Sequence, residues 1–277
     1  MSNVQIFYLL LAVAVGTFIG IKLFKKWRYT KAMGQEFPES KKSILTKRLP
    51  VYQKLNTSLQ NELHSLIQHF LYTKKFVGCA GLEINEEIET VIAAEACLLI
   101  LNRPSTRYQS LKWIYVYPST FEAKRNQQDA YGIVTEGRTK LLGVSWSNGR
   151  VILAWDSVEK GMADFDDGHN VVLHEFAHQL DQEDGAADGA PLLYTRDSYQ
   201  IWAQVFSREF EELQIKLSKG KSTLIDSYGA TNPAEFFAVV TELYFERPAQ
   251  MRKRHPELFD VMKNYYQLDT LDWQRPQ

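Results

Sequence analysis

The 277-residue sequence predicts an α+β fold, with helices, a small mixed β-sheet and further helices behind one N-terminal transmembrane helix. Three observations predict it. Apolar residues recur at helical spacing over 59–71 and fill 86–101. The period then changes, because Trp113–Tyr117, Leu141–Trp146 and Val151–Trp155 are short runs rich in β-branched and aromatic residues. From about residue 168 the spacing is helical again, over 169–183, 196–217, 232–246 and 254–267. Helices, then strands, then helices is an α+β layout.

The elements follow in chain order. Ile6–Phe24 is a run of 19 mostly apolar residues whose only charge is Lys22. As a helix it is about 28 Å long, close to the roughly 30 Å hydrocarbon thickness of a bilayer. A cleaved signal peptide fits less well, since MSNVQ carries no positive side chain and no A-x-A site follows. A buried core helix at the very terminus would be unusual. The expectation is therefore a single-pass anchor over residues 1–28. Lys22, Lys25, Lys26, Arg28 and Lys31 flank the run on its carboxyl side, which puts the rest of the chain in the cytoplasm. Residues 29–49 are polar and basic and read as a linker. Residues 50–277 read as one domain, for no internal repeat or Gly/Ser tract marks a further boundary.

Within that domain, Leu59, Leu63, Leu66, Ile67, Phe70 and Leu71 share a helix face, and Thr57 with Gln60 forms a capping box at its start. Asn148-Gly149, between two strand runs, is a hairpin turn signal. Residues 141–147 are the candidate edge strand for pairing with an extended peptide.

Composition limits the function classes. Hydrophobic residues are 45% and charged residues 23%, which excludes a disordered or low-complexity chain. The formal net charge is -1, and without the four basic residues of 1–28 the remainder is mildly acidic. No direct nucleic-acid binding is expected. Two cysteines, Cys79 and Cys97, exclude a disulfide framework and a cysteine zinc cluster.

The strongest signal is His174-Glu175-Phe176-Ala177-His178. Val171, Val172, Leu173, Phe176, Ala177 and Leu180 give that segment a helical apolar surface. Residues four apart lie one turn apart on one face, so both imidazoles reach one Zn²⁺ at about 2.0–2.1 Å. Glu175, beside a ligand, reaches the open side of the metal as general base, then acid, toward a metal-activated water. A third protein ligand is needed. Residue 184 is Asp184 where the metzincin pattern has a histidine, so the ligand is a distant carboxylate or His255. In NPAEFFAVVTELYFE, Asn232 caps a helix and Pro233 fits its first turn. Glu235 and Glu242, seven apart, share one face. Spacing leaves both open and leans to Glu235, nearer the helix start.

Two flanking groups complete the reading. Asp181, three after His178, is either an acceptor that orients a ligand or a helix-end acid. His169 reads as a cap-region residue, and the acids at 164–167 and 183–188 as solvated loops.

YGATNPAEFFAV together with HEFAHQLD resembles the Mlc titration factor A family of zinc peptidases, which is related to the peptidase domain of anthrax toxin lethal factor. The likeness covers most of the chain after the linker, and the apolar amino terminus departs from it. It implies a zincin-like fold, one zinc per chain, Glu235 as third ligand and Tyr228 assisting the oxyanion. It also implies aminopeptidase-like hydrolysis of peptide or protein substrates, and binding of a transcriptional repressor of glucose uptake. The competing expectation is a regulator-binding protein whose zinc site is structural or vestigial. Glu242 as a fourth ligand would support it.

Overall fold

A computed structural model describes residues 3–104, 107–128, 134–141, 143–146 and 149–274. The chain divides into two compact units, Met1–Pro38 and Glu39–Gln277. The first contains one helix, α1 (Asn3–Met33).

Among the described residues, no helix is long and apolar enough to cross a membrane. This overturns the single-pass anchor over 1–28. The membrane localisation, the membrane as a partner and the cytoplasmic placement of the remainder go with it. The apolar run is not a helix by itself. α1 continues through Lys25, Lys26, Arg28 and Lys31, so apolar and cationic residues share one continuous helix.

The second unit begins with α2 (Glu39–Arg48), inside the stretch read as a basic linker, and Leu45 is fully buried there. α3 (Thr57–Thr73) follows and buries Leu63, Leu66, Ile67 and Phe70, the residues at helical spacing. Its cap is Asn56 rather than Thr57, because the Asn56 side chain accepts the Leu59 N–H at 3.0 Å. Then come β1 (Lys75–Gly78), α4 (Glu86–Leu98), β2 (Trp113–Tyr117), β3 (Phe121–Gln128), β4 (Val134–Leu141), β5 (Gly143–Trp146) and β6 (Arg150–Ala154). The chain finishes with α5 (Trp155–Ala163), α6 (Val171–Asp181), α7 (Arg196–Ser218), α8 (Pro233–Glu246), α9 (Pro248–Arg254) and α10 (Pro256–Tyr266).

The main sheet has the order β1-β2-β6-β5. β1, β2 and β6 are parallel, in register Lys75 to Trp113 and Ile114 to Val151. β5 runs antiparallel to β6, Val144 opposite Ile152, and forms one edge. The small mixed sheet is thus present, and the stretch expected as an edge strand contributes its edge. β3 and β4 form a separate antiparallel ribbon, Phe121 opposite Leu141. Of the expected Asn148-Gly149 turn, Asn148 lies outside the described residues. Gly149 has φ +79°, and a Cβ there would stand 2.6 Å from the Ser110 carbonyl oxygen, so both the turn and the close approach require glycine.

Parallel strands need cover. Ile114, Val116, Val151 and Leu153 are fully buried. α6 packs beside β5 and β6 as well as against α4 and α8. Its Phe176 ring meets Tyr108 at 5.1 Å and Phe70 at 5.7 Å, an aromatic floor beneath the HEFAH segment. α8 starts as its sequence predicts, with Pro233 in the first turn and the Asn232 side chain accepting the Glu235 N–H at 2.9 Å. Its Phe236 and Phe237 pack on Phe206 and Trp202 of α7.

Candidate metal centre

The centre is built where α6 and α8 pack. An apolar face sinks α6 into the core and leaves His174 and His178 one turn apart at its margin. Their rings lie 4.9 Å apart. α8 lays Glu235 across them. One carboxylate oxygen, Oε2, stands 3.0 Å from His174 Nε2 and 3.2 Å from His178 Nε2. Ligand atoms of the three residues all lie within 4.8 Å of one another. Two donors on one tetrahedral zinc at about 2.0–2.1 Å stand about 3.3 Å apart, so the spacing fits a single ion.

The hydrogen-bond pattern fits a cation as well. His174 Nδ1 donates to Glu242 Oε1 at 2.8 Å. With the proton held on Nδ1, the neutral ring turns its Nε2 lone pair toward Glu235 and His178. Three donor atoms facing one another need a positive charge among them. With no cation bound, a proton on His174 Nε2 takes the place of that charge: burial opposes the charged form of Glu235, but hydrogen bonding with His174 and His178 outweighs it and holds the carboxyl well below the usual range. Burial likewise opposes a charge on His174, and Glu235 and Glu242 outweigh it, driving that imidazole well above its ordinary value.

Glu175 follows His174 directly on α6 and is close enough to His174, His178, Glu235 and Glu242 to feel their charges. It is 5% exposed, and its Oε2 is buried without a hydrogen-bond partner. Burial pushes this carboxyl up to about 7, against the pull of His174 and His178. A buried carboxylate oxygen without a partner is costly unless something polar meets it, which suits a group that handles a proton at neutral pH.

Tyr228 sits on a 3-10 turn, Ser227–Ala230. Asp226 accepts its backbone N–H at 2.7 Å, and Thr231 Oγ1 donates to its carbonyl at 2.7 Å. The turn brings its ring to 6.0 Å from the His174 ring while half of the residue stays exposed. It thus borders the centre on the solvent side.

The other candidates separate clearly. Glu242, the alternative ligand, orients His174 instead and is not one of the residues meeting at Nε2. His255 is paired with Glu209 at 2.7 Å and takes no part. Asp181 is fully buried but accepts the Gly189 N–H at 3.0 Å, so it anchors the loop after α6. His169 donates its backbone N–H to Asp167 in an exposed turn. Two contributors gave little sign in the sequence. Asn170 caps α6, its Oδ1 accepting the N–H groups of Val172 and Leu173 at 3.0 Å each. Gly189 packs on Pro233, the residue that opens α8.

The sequence model of the family described as glucose-regulated metallo-peptidase M90 matches residues 24–267. The chain belongs to that family. The M90 match takes in every residue of the centre. Among relatives, the uncharacterized protein slr2042 of Synechocystis sp. is 41% identical over 247 residues, 88% of this chain and 90% of its own. Mlc titration factor A of Escherichia fergusonii is 32% identical over 227 residues, 80% of this chain and 84% of its own. The protein of that name in Yersinia pestis is 27% identical over 249 residues, 88% of this chain and 90% of its own. The resemblance read from HEFAHQLD and YGATNPAEFFAV is therefore sound at the level of family.

Proposed function

We propose that this M90 protein is a zinc-dependent peptidase with aminopeptidase-like action, and that His174, His178 and Glu235 hold one zinc per chain. The observation that carries the proposal is the meeting of three ligand atoms within 4.8 Å beside the partnerless Oε2 of Glu175. Bound there, zinc would supply a Lewis acid able to make water nucleophilic near neutral pH. The chain's own residues do the rest. Glu175 takes the proton of the attacking water and returns it to the leaving amine. The Tyr228 hydroxyl donates a hydrogen bond to the carbonyl oxygen as negative charge develops on it. The β5 edge, beside α6, offers backbone groups to an extended peptide.

A structural zinc site closes with four protein ligands, whereas a catalytic one keeps a position open. The engagement of Glu242 by His174 Nδ1 and by the Asn170 N–H leaves three candidates at the metal among the described residues, which supports the enzyme over the structural-site reading. In this reading residues 50–277 are the peptidase domain. Relatives bearing the name Mlc titration factor A support adding a second activity, binding of a transcriptional repressor.

The test is hydrolysis of amino-acyl nitroanilides and of the same compounds N-acetylated, by the zinc-loaded chain. Cleavage of the free-amine compounds alone is expected. Equal cleavage of both would replace the aminopeptidase assignment by an endopeptidase one.

A further inference from the structure

α8 presents three glutamates, Glu235, Glu242 and Glu246, to α6 and the turn that starts it. Each meets a different layer. Glu235 meets the two imidazoles. Glu242 takes His174 Nδ1–H on Oε1 and the Asn170 backbone N–H on Oε2, at 2.8 and 2.5 Å. Glu246 Oε2 accepts the Gly168 N–H at 2.9 Å. The helix start is thus tied to the helix that carries the third ligand.

Asn170 is where these ties converge. It is 1% exposed. Its Oδ1 caps α6, and its carbonyl accepts the backbone N–H of His174 itself at 2.9 Å. Its Nδ2 donates to Glu95 Oε1 of α4 at 2.8 Å, and Glu95 is fully buried. Space around it is closed. A Cβ on Gly161 of α5 would stand 3.3 Å from the Asn170 Cα, Cγ and Nδ2. Four of its polar groups are therefore committed, to α4, α6 and α8, in a pocket that admits no other rotamer cheaply.

We infer that Asn170 is a positioning residue for the metal centre: it sets the start of the helix bearing His174 and His178, and it fixes the carboxylate that orients His174. Residues beyond the ligands that hold ligand orientation typically change metal affinity 10–100-fold when replaced. Asn170 acts through Glu242 and the helix start, with no contact to the metal. The inference rests on the zinc-site reading above.

The test compares the full-length wild type with Asn170→Ala, Asn170→Asp and Asn56→Ala. Asn56→Ala removes the α3 cap, a loss of the same kind at the far end of a helix that supplies neither a ligand nor a hydrogen bond to one. Zinc affinity is measured by competition with a chelator, the Co²⁺-substituted forms are examined by visible absorption, and the unfolding midpoint of each metal-free chain is recorded. Asn170→Ala is expected to bind zinc at least about tenfold more weakly and to shift the Co²⁺ bands. Asn170→Asp keeps the cap but turns the donor to Glu95 into an acceptor, and is expected to shift the bands too. Asn56→Ala should lower the unfolding midpoint while zinc affinity stays within twofold. Wild-type affinity and unshifted bands in folded Asn170→Asp would overturn the inference. So would equal weakening by Asn56→Ala, which would make the effect one of stability alone. If the wild-type chain binds no zinc, it is the metal-site reading that fails, and the inference falls with it.

Discussion

Gly189→Ala is the substitution whose effect the structure specifies most fully. Gly189 has φ +78°, where an L side chain is strained by about 1–2 kcal/mol. A Cβ there would lie 2.3 Å from the Pro233 carbonyl oxygen and 2.6 Å from its carbon, so backbone must move. Relief of that kind of overpacking costs about 1–3 kcal/mol. Gly189 cannot simply retreat. Its N–H is held by Asp181 at 3.0 Å and its carbonyl by Trp202 Nε1 at 2.9 Å. Together these give about 3 kcal/mol, or roughly 6–12 °C of unfolding midpoint for a domain of this size. The strain also falls on Pro233, two residues before Glu235, so zinc affinity should drop along with stability. Thermal unfolding of the metal-free chain reads the first effect, and chelator competition the second. Gly189→Asn separates the causes, because asparagine tolerates positive φ but brings the same Cβ. It should recover the share due to φ and keep the loss of about 1–3 kcal/mol due to the close contact. Midpoints for both variants within 2 °C of wild type would refute the close packing of Gly189 on Pro233.

Other consequences are equally open to test. Glu242→Gln keeps the shape but offers one oxygen where His174 Nδ1–H and the Asn170 N–H each need one. Loss of a charge-assisted bond of about 1.5–3 kcal/mol should weaken zinc about 10–100-fold in a chelator competition. Tyr228→Phe should leave zinc content unchanged and lower kcat more than it raises KM, since its role is at the carbonyl oxygen during reaction. For Glu246, burial first and the neighbouring Glu242 charge second push the carboxyl up to about 9. A carboxyl raised in the folded state favours folding below its unfolded value and loses that advantage as pH rises toward 9. Metal-free Glu246→Gln should therefore exceed wild type in urea stability by about 1–4 kcal/mol at pH 8, with a much smaller difference at pH 5.

Much of the centre is legible in the chain because it is local. The i, i+4 histidines on an apolar helix and the Asn232-Pro233 start of α8 depend on neighbours in sequence, and both form as their patterns predict. The choice between Glu235 and Glu242 is not local. Both lie on one face of α8, and only the packing on α6 sets one against the Nε2 atoms and the other against Nδ1. Spacing leaves Asp181 open between an orienting acceptor and a helix-end acid, and its partner lies eight residues on in a loop whose path the sequence does not reveal. The α3 start shows the finer limit. Asn56 and Thr57 are both good caps, and the side chain that reaches the Leu59 N–H is Asn56. The apolar run of α1 had a length that matched a bilayer, but length and local hydropathy do not show where a helix ends, and this one runs on into its cationic flank.

The central claim is that Glu175 works on a zinc held by His174, His178 and Glu235. It is tested most directly by measuring zinc content and peptide hydrolysis together, in wild type and Glu175→Gln. About one zinc in both forms, with turnover in wild type alone, is the predicted result. One zinc in both with turnover in neither, or equal turnover in both, would contradict it.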